Sequence, residues 1–389
     1  MKIFFIARGW PSKTDPQWGG FERDQAISLS KFGHQIVVLS VDARFRRFYR
    51  KYGISKVEED GIVAYNLYAG FVWGRLLSNI SPIFQSKVWQ RLLLFLFEKV
   101  VSKEGMPDII YGHYLGGCAS ALAIKRKYGV PAVGIEHWSK MGCNPIKAGF
   151  AKLALQVYPN LDRQLVVSSF LKENILRNTG LDTVVINNMI SESFYYKPKI
   201  YNDSVVRFVS SGNLFPVKGF DFLITAFHKA NLPSKTWNLS ILGGGSEYNH
   251  LNELIAKYGL KEHVFLLGRK DREGVIKILN NSNVYIMSSR SETFGVAAVE
   301  ALACGLPVIA TECGGSADFM NMDNGLTCPV DDTEKMSESI KYMFEHWKDY
   351  DRKKISVETR KKFSSEAIAK KLEGIFKEVL DNKNGETIE

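Results

Sequence analysis

Short apolar runs alternate with amphipathic stretches along most of the chain, and this alternation limits the possible folds more than any other feature. The apolar runs of the first half lie at 3–7, 36–41, 62–67, 108–111, 132–136, 165–169 and 184–187. Helix-like stretches such as 21–33 and 118–129 lie between them and end in a glycine suited to a helix C-cap. Continuous apolar strands separated by helices are typical of a parallel sheet covered on both faces. The pattern predicts a doubly wound α/β fold.

The alternation stops once and then restarts, which indicates two domains. The stretch 191–204 has no core periodicity and contains Pro198. The strand-like runs of the second half lie at 205–211, 237–242, 263–267, 284–289 and 307–310. A chain of 389 residues also exceeds the usual ~100–200 residues of one domain. We therefore expect one domain over 1–195, a linker over 196–204, a second domain over 205–370 and a terminal helix over 371–389.

Composition and cysteine usage point to a cytoplasmic globular protein. Hydrophobic residues make up 45% of the chain and charged residues 24%, which excludes a disordered chain. The five cysteines are odd in number and none forms a CxxC pair, as expected in a reduced compartment. The run 2–7 is followed at once by Arg8 and indicates a buried strand rather than a signal peptide. The run 92–97 is far shorter than the ~18 residues of a membrane span, so we expect a chain that does not cross the membrane.

The basic charge lies in the first half. Residues 1–200 carry a net charge of +12 and residues 201–389 a net charge of −2. Such asymmetry suggests an anionic partner. The stretches 43–56 and 71–101 mix basic and aromatic residues, which suits peripheral docking on the anionic inner face of the cytoplasmic membrane. A solvated loop and a core helix explain the two stretches equally well. No nucleic-acid-binding motif is present, so we expect no nucleic-acid partner.

One helix in the segment 288–315 carries an unusual carboxylate. After the strand 284–289 and a short loop, the helix over 296–304 is apolar except at Glu300. A helix that is apolar on every side is expected to be buried, and a carboxylate there is costly unless it is partnered. A carboxylate can accept hydrogen bonds from two vicinal hydroxyls. Glu300 is therefore a candidate ligand for a polyol such as ribose.

The loop before this helix completes a candidate site. Glu292 lies eight residues before Glu300. The start of the helix between them offers the unpaired N–H groups of Phe294, Gly295 and Val296, which favour a phosphate. Two hydroxyl-accepting carboxylates beside an anion site suit a nucleoside diphosphate sugar. A salt-bridged structural Glu300 and a solvated Glu292 are the alternative.

The motif from Glu292 to Glu300, followed by ALACGLPVIAT and GG, resembles the retaining glycosyltransferases of family 4. The similarity continues through 211–224, 242–251, 264–289 and 324–332, and more loosely through 9–40. This resemblance implies a GT-B fold, with two Rossmann-like domains that face a central cleft. The first domain would bind the acceptor and the second the nucleotide-sugar donor. The last helix would pack back onto the first domain.

The resemblance also implies roles for residues of the second domain. Glu292 would contact the transferred sugar and Glu300 the ribose, while Lys218 would bind the diphosphate in catalysis. The family usually has Arg five residues before this lysine, but this chain has Asn213, so Arg269 or Arg290 is a candidate replacement. The predicted donor-binding set is Gly19, Gly20, Gly212, Asn213, Lys218, Gly219, Arg269, Glu292, Thr293, Phe294, Gly295, Val296 and Glu300.

The first domain contributes fewer candidates. His137 follows the strand 132–136, at the strand end where open α/β sheets bind ligands, and by resemblance it lies near the reacting sugar. His113 is a weaker candidate of the same kind. The DxD sequence at 349–351, a metal signature elsewhere, lies in a charged stretch with no apolar strand before it and indicates a solvated face. We therefore predict no metal ion.

The predicted function is retaining transfer of a sugar from a nucleoside diphosphate sugar, without a cofactor. Family frequency favours a UDP-sugar over a GDP-sugar. The acceptor would be a glycan or a lipid-linked molecule in surface polysaccharide or glycolipid synthesis. Two alternatives stay open: a sugar-nucleotide epimerase on a related fold, and a non-catalytic protein that binds anionic surfaces.

Overall fold

The chain folds into two compact units, each built on its own sheet. The computed structural model describes residues 1–12, 18–42, 52–69, 81–198 and 205–386. One unit comprises Met1–Met189 together with Ile368–Glu389, and the other comprises Ile190–Ala367. The unit boundaries therefore fall a few residues before the predicted ones at 195 and 371.

The first unit contains an eight-stranded sheet in the order β3-β4-β2-β1-β5-β6-β7-β8. All neighbouring strands are parallel except β3 and β4. Its strands are β1 (Lys2–Ala7), β2 (Gln35–Asp42), β3 (Gly53–Glu59), β4 (Ile62–Tyr68), β5 (Ile109–His113), β6 (Ala132–Glu136), β7 (Arg163–Val166) and β8 (Val184–Val185). Its helices before the linker are α1 (Gly20–Lys31), α2 (Pro82–Glu104), α3 (Tyr114–Tyr128), α4 (Ala148–Val157) and α5 (Ser169–Thr179). Strand order reverses between β1 and β5.

The second unit contains a six-stranded, all-parallel sheet in the order β11-β10-β9-β12-β13-β14. Its strands are β9 (Val206–Ser211), β10 (Trp237–Leu242), β11 (Val264–Gly268), β12 (Val284–Met287), β13 (Val308–Thr311) and β14 (Gly325–Cys328). Its helices are α6 (Phe220–Ala230), α7 (Tyr248–Lys257), α8 (Arg272–Asn280), α9 (Val296–Ala303), α10 (Thr333–His346) and α11 (Arg352–Phe363). The central strands are buried, because helices cover both faces of the sheet.

The edge hairpin of the first sheet was not predicted. Strand β3 is mostly exposed and pairs antiparallel with β4. The two residues between them, Asp60 and Gly61, have φ values of 52° and 75°, as a two-residue type I′ turn requires. Residues 53–56, interpreted from sequence as part of a loop or an interfacial segment, therefore belong to a strand. Residues 43–51 and 70–80 lie outside the described residues.

The first residues of the predicted linker are part of the second unit. The backbone N–H of Tyr196 donates to Ser356 Oγ at 3.3 Å, and that of Lys197 donates to Asn280 Oδ1 at 2.9 Å. The rest of the predicted linker, 199–204, lies outside the described residues.

The terminal helix α12 (Ser365–Glu386) starts in the second unit, and its residues from Ile368 onward belong to the first. Phe376 is fully buried, with its ring centroid 5.1 Å from that of Tyr111. Lys383 Nζ donates to the carbonyl oxygen of Gly129 at 2.6 Å. The helix thus packs on the first unit through Tyr111 of β5 and the end of α3.

Candidate active site

The loop after β9 places a lysine at the carboxyl edge of the second sheet, where open α/β sheets bind ligands. Lys218 ends a short 3₁₀ turn, and Gly219 follows it with φ 63°. A Cβ atom on Gly219 would stand 2.1 Å from the carbonyl oxygen of Ser288, so only glycine fits. This close approach brings Lys218 next to the end of β12.

Lys218 forms an ion pair with Glu292. Its Nζ contacts Glu292 Oε1, and the hydroxyl of Ser289 donates to the same oxygen at 2.8 Å. The lysine side chain is 25% exposed and the glutamate 17%, so solvent reaches both. Two residues that were predicted separately from the sequence thus meet in one half-buried ion pair.

The start of α9 leaves its backbone donors unoccupied. Within the described residues, no group accepts from the N–H groups of Phe294, Gly295 or Val296. Phe294 is 1% exposed and packs against the rings of Phe319 and Phe363, which anchors the beginning of the helix. Thr293 is half-buried in the loop just before it. These donors lie where the sequence predicts an anion site, because the N–H groups at a helix start favour an anion, and that site stays a prediction.

The helix α9 is not buried on every side, and this corrects the argument made for Glu300. Val296, Ala297 and Glu300 are half-buried, while Ala298 and Val299 are fully buried. Glu300 therefore lies on the half-buried face of the helix. Burial, with a contribution from the charge of Glu300, raises the pKa of Tyr285. The Tyr285 hydroxyl lies 3.1 Å from Ser211 Oγ, at the end of β9.

Of the two arginines considered as replacements for the missing cation, Arg290 is already engaged. Its two terminal nitrogens donate to Asp221 at 3.0 and 2.9 Å, and its single Nε–H is shared between the two carboxylate oxygens of Asp331, at 2.8 and 3.0 Å. It also donates to the carbonyl oxygen of Pro216 at 2.5 Å. Burial opposes ionisation of Asp221, but its hydrogen bonds to Arg290 keep its pKa below the ordinary value. Arg290 therefore holds the turn that carries the phosphate-loop lysine.

Arg269 is differently placed. It is exposed, follows β11, and makes no hydrogen bond or ion pair within the described part of the chain. A Cβ atom on Gly244 would stand 3.2 Å from its Nε, which places Arg269 beside the loop that follows β10. Asn213 is also exposed, and Gly212 lies against the side chain of Lys218. Arg269 is therefore the arginine of the two that a ligand could engage without breaking an ion pair.

In the first unit, His137 follows β6 as predicted and both of its ring nitrogens have partners. Nδ1 lies 3.1 Å from Asn188 Oδ1, and Nε2 lies 3.3 Å from His113 Nδ1. The two imidazole rings stack with centroids 5.3 Å apart. Burial lowers the pKa of His137 to about 4, and that of His113 falls well below its ordinary value for the same reason. Both rings are therefore neutral at pH 7.

Glu136, next to His137, is fully buried. It accepts hydrogen bonds from the backbone N–H groups of His137 and Trp138, at 2.8 and 2.7 Å, and from the Tyr158 hydroxyl at 2.8 Å. Burial raises its pKa to about 7 despite these donors. Its contacts hold the chain in place where β6 ends.

The two glycines before α1 have different surroundings. Gly19 caps the helix with φ 82°, and a Cβ atom there would stand 2.1 Å from the carbonyl oxygen of Gly9. Gly20 is the first helical residue, and a Cβ atom there would meet no atom within 4 Å. The geometry requires glycine only at position 19.

Two residues near this loop were missed by the sequence analysis. Glu22 is fully buried, and its Oε1 accepts from the backbone N–H of Arg8 at 3.2 Å. The guanidinium of Arg8 lies over the rings of Trp18 and Tyr114, at 4.5 and 5.1 Å from their centroids. The signals were present in the sequence: Arg8 directly follows the first strand, and Glu22 follows the glycine pair.

The DxD sequence forms part of a helix boundary. Asp351 caps α11 and accepts from the backbone N–H of Lys354 at 2.9 Å, while Asp349 Oδ2 lies 2.9 Å from His346 Nδ1. In the described ranges, no three His, Cys, Asp or Glu side chains come together as a metal site would require. None of the described helices combines the length and apolarity needed to span a membrane.

Two Rossmann-like α/β units, the second with a lysine, a glutamate and a helix start at the carboxyl edge of its sheet, define the class of GT-B glycosyltransferases. The structural neighbours have this fold. Sucrose-phosphate synthase from Thermosynechococcus elongatus superposes with a TM-score of 0.78 at 18% identity, over 98% of this chain and 99% of that one. Anabaena HepE in complex with UDP-glucose superposes with a TM-score of 0.69 at 18% identity, over 97% and 100%.

Sequence comparison identifies the family. Residues 23–194 match the Glycosyltransferase Family 4 model, and residues 197–369 match the Glycosyl transferases group 1 model. An uncharacterized glycosyltransferase of Methanocaldococcus jannaschii is 32% identical over 62% of this chain and 67% of its own length. The chain belongs to the group 1, family 4 glycosyltransferases, and it is an enzyme that transfers a sugar.

Two further relatives have names that specify a reaction. N-acetyl-α-D-glucosaminyl L-malate synthase of Bacillus anthracis is 25% identical over 92% of this chain and 93% of the relative. The phosphatidylinositol N-acetylglucosaminyltransferase GPI3 subunit of Saccharomyces cerevisiae is 31% identical over 43% of this chain. The matched region spans only 40% of the yeast subunit.

Proposed function

We propose that this enzyme transfers a hexosyl group, with retention at the anomeric carbon, from a UDP-sugar to a glycan or lipid-linked acceptor. The pathway would be surface polysaccharide or glycolipid synthesis. The observation that carries the proposal is the contact between Lys218 and Glu292 beside the open N–H groups of α9. The site offers a cation and backbone dipoles for a diphosphate, and a carboxylate for sugar hydroxyls.

The proposed chemistry rests on stabilisation of the leaving group. As the glycosidic bond breaks, negative charge develops on the diphosphate, and Lys218 with the helix N–H groups would stabilise it. The donor would displace Lys218 from Glu292, which frees the carboxylate to accept hydrogen bonds from the sugar. Retention without a covalent nucleophile requires the diphosphate to leave and the acceptor hydroxyl to attack on one face of the sugar, with the hydroxyl proton passing to the departing diphosphate oxygen.

The choice of donor follows from the named relatives. HepE binds UDP-glucose in its crystal structure, and both named sequence relatives carry N-acetylglucosamine in their names. This supports UDP as the nucleotide and puts UDP-N-acetylglucosamine first among the sugars to test. Arg269, which is exposed and unpaired among the described residues, would supplement Lys218 at the nucleotide where Asn213 stands in place of Arg.

Thermal-shift measurements with UDP-, GDP-, ADP- and dTDP-sugars test the donor directly. A ligand present at 100 times its Kd stabilises the folded protein by about 2.7 kcal/mol, which a melting curve resolves. Stabilisation by UDP-sugars, with release of UDP when acceptor is added, would support the proposal. Stabilisation by GDP-sugars alone would reject the UDP assignment, and conversion of a UDP-sugar to its epimer without UDP release would indicate an epimerase.

We also propose that the enzyme works at the cytosolic face of the membrane, where nucleotide sugars and lipid-linked acceptors meet. The support is the basic excess of the first half of the chain. Each basic residue near an anionic surface contributes on the order of 1 kcal/mol, attenuated by salt. Co-sedimentation with anionic and neutral liposomes at low salt is the test. Equal and negligible pelleting in both would reject membrane docking.

A further inference from the structure

The first unit contains a cavity that the proposed function leaves unexplained. It has a volume of about 470 Å³, within the range of small-molecule sites. Its walls come from the ends of β1 and β5, from β2, and from helices α2, α3 and α4. Strand order reverses between β1 and β5. Open α/β sheets bind ligands at such a switch point, beyond the carboxyl ends of the strands.

The backbone is strained where the cavity meets the end of β5. Tyr114, which lines the cavity, has φ 60°. A positive φ is a genuine outlier for a bulky residue, and strain of this kind concentrates at binding and catalytic sites. The cavity is therefore a built feature of the sheet edge and not a packing defect.

The chemistry of the walls selects the ligand. Val41, Leu93, Leu115 and Leu153 line the cavity together with the rings of Trp89 and Trp138. Sugar hydroxyls placed against aliphatic side chains would lose their hydrogen bonds to water without replacement, at a cost that a hydrocarbon does not incur. Aromatic rings alone would suit the apolar face of a sugar ring, but the aliphatic side chains beside them do not suit its hydroxyl groups.

We infer that this cavity binds the hydrocarbon portion of the acceptor, so that the enzyme glycosylates an amphiphile at a hydroxyl next to its apolar chain. The inference rests on the proposed function for the transfer reaction and adds the class of acceptor. The exposed guanidinium of Arg8 lies at the cavity between two aromatic rings, so a polar head group meets a charged side chain as it leaves the apolar walls. Asp42, which is buried, lines the cavity as well.

Alkyl glycosides of increasing length provide the probe. Methyl, butyl and octyl β-D-glucopyranoside would be titrated into the full chain without donor, below the micelle concentration, with tryptophan fluorescence and calorimetry as readouts. We expect affinity to rise roughly fourfold per added methylene between butyl and octyl, the factor that corresponds to about 0.8 kcal/mol per buried CH₂. Equal affinity for methyl and octyl glucoside would overturn the inference.

Gly116 allows the cavity to be filled without disturbing the fold. It lies in α3 and lines the cavity, and a Cβ atom there meets no atom within 4 Å. Gly116→Leu should abolish the dependence of affinity on chain length. Gly374→Leu is the matched control, because Gly374 is also helical and open but lies in α12, away from the cavity. Unchanged octyl binding in Gly116→Leu would contradict the assignment.

The acceptor role is tested by transfer. With donor present, the octyl glucoside should have a lower KM than the methyl glucoside in the wild-type enzyme, and Gly116→Leu should raise the octyl value to that of methyl. Chain-length-dependent binding without any effect on KM would mean that the cavity does not serve the acceptor. UDP-sugar binding, measured on the same preparations, separates the two proposals: its loss would reject the donor assignment and leave the cavity result standing.

Discussion

At the scale of single residues, Lys218 and Glu292 hold each other in the protein without donor. Under the proposed function the lysine would serve two partners in turn, the carboxylate before the donor binds and the diphosphate during the reaction. An ion pair that water reaches contributes little to stability by itself, since water screens it. We read the contact as a way of keeping both groups in position at low cost for the donor to displace.

Glu292→Gln should nearly abolish transfer, because an amide cannot replace the carboxylate beside the sugar. The affinity for free UDP should stay the same or rise, since Lys218 loses a competing carboxylate. Rates and calorimetric titration of UDP provide the measurement, with the exposed Glu312→Gln as a matched control. A large fall in UDP affinity would show that Glu292 acts on the nucleotide and not on the sugar.

Glu300→Ala should have the opposite profile, with free UDP binding weakened by roughly 1–3 kcal/mol if two ribose hydrogen bonds to a charged group are lost. The variant should keep the helix folded, because Glu300 is only half-buried and the fully buried Ala298 and Val299 anchor the helix. Circular dichroism and thermal melting would verify folding. Unaltered UDP affinity in a folded variant would exclude Glu300 from the ribose site.

Asn213→Arg should leave donor affinity unchanged or tighten it, because it restores the second cation usual in the family. Activity should also survive EDTA, since the diphosphate charge is met by Lys218 and backbone donors. Transfer assays with and without chelator, for wild type and variant, measure both effects. Loss of activity on chelation that Mn²⁺ or Mg²⁺ restores would contradict the metal-independent scheme.

Glu136 should make stability depend on pH. Its pKa rises from 4.5 to about 7 on folding, so between these values the folded chain keeps a proton that the unfolded chain has lost. The free energy of unfolding therefore falls as pH rises through this window, by about 3 kcal/mol for a shift of this size. The lowered pKa of His137 has the opposite effect. As pH falls from 6.5 towards 4, the unfolded chain gains a proton at this residue that the folded chain does not, so the free energy of unfolding falls.

Glu136→Gln isolates the contribution of the carboxyl group, because His137 is present in both proteins. The stability of the variant relative to wild type should increase between pH 4.5 and 7 and stay constant below pH 4.5. Urea denaturation at a series of pH values gives the difference. Parallel curves across the window would mean that Glu136 ionises normally in the folded protein.

At the scale of elements, the starts of α1, α6 and α9 all depend on a glycine with positive φ. Each of these helices follows a strand of a parallel sheet, and its start therefore lies on the side of the carboxyl edge, where polar groups collect. Strand ends were harder to predict than strands. The run 165–169 was assigned to one strand, but β7 ends at Val166, because Ser168 caps α5 by accepting from the N–H of Leu171 at 3.1 Å.

The glycine pair before α1 provides a test at this scale. Gly19→Ala should destabilise the first unit or displace its loop, because the added methyl meets the Gly9 carbonyl and the left-handed backbone is strained. Gly20→Ala should be neutral or stabilise by ~0.4–1 kcal/mol, since its position is helical and open. Thermal melting compares the two. A loss of transfer in a stable Gly20→Ala variant would place the donor against that residue.

At the scale of the whole molecule, the last helix joins the end of the chain to the first unit. Phe376 is fully buried, and Ile368, Ala369 and Leu372 are buried on the same helix. The helix therefore supplies core to a unit that the chain left almost two hundred residues earlier. The core of the first unit therefore includes residues that follow the whole second unit in the chain.

Phe376→Ala should lower the free energy of unfolding by about 3–5 kcal/mol, the usual cost of removing a buried phenylalanine. Lys370→Ala, at an exposed position of the same helix, is the control and should change stability by less than about 0.5 kcal/mol. Urea denaturation followed by fluorescence gives both values. A small effect at Phe376 would mean that the first unit is stable without the helix.

Much of the fold was predictable from the chain because the relevant signals are local. Apolar runs of strand length, with amphipathic stretches between them, specify a parallel sheet without any knowledge of which strands pair. The segment from Glu292 to Glu300 likewise carries its chemistry in sequence spacing, since a loop and the first turns of one helix place both carboxylates. The exposed strand β3 escaped prediction because charged residues obscure its pattern, although the Asp60-Gly61 turn was a usable signal.

The tertiary structure alone decided which distant residues meet. The pairing of Lys218 with Glu292 joins residues 74 positions apart, and the contact of His137 with Asn188 joins residues 51 apart. Arg290 was a plausible phosphate ligand in the sequence, and only its contacts with Asp221 and Asp331 showed that it is already occupied. Periodicity and propensity act over a few residues, whereas strand order and loop packing determine long-range contacts. The chain therefore specified its elements and its donor motif locally, and folding determined which of its charges stay available to a ligand.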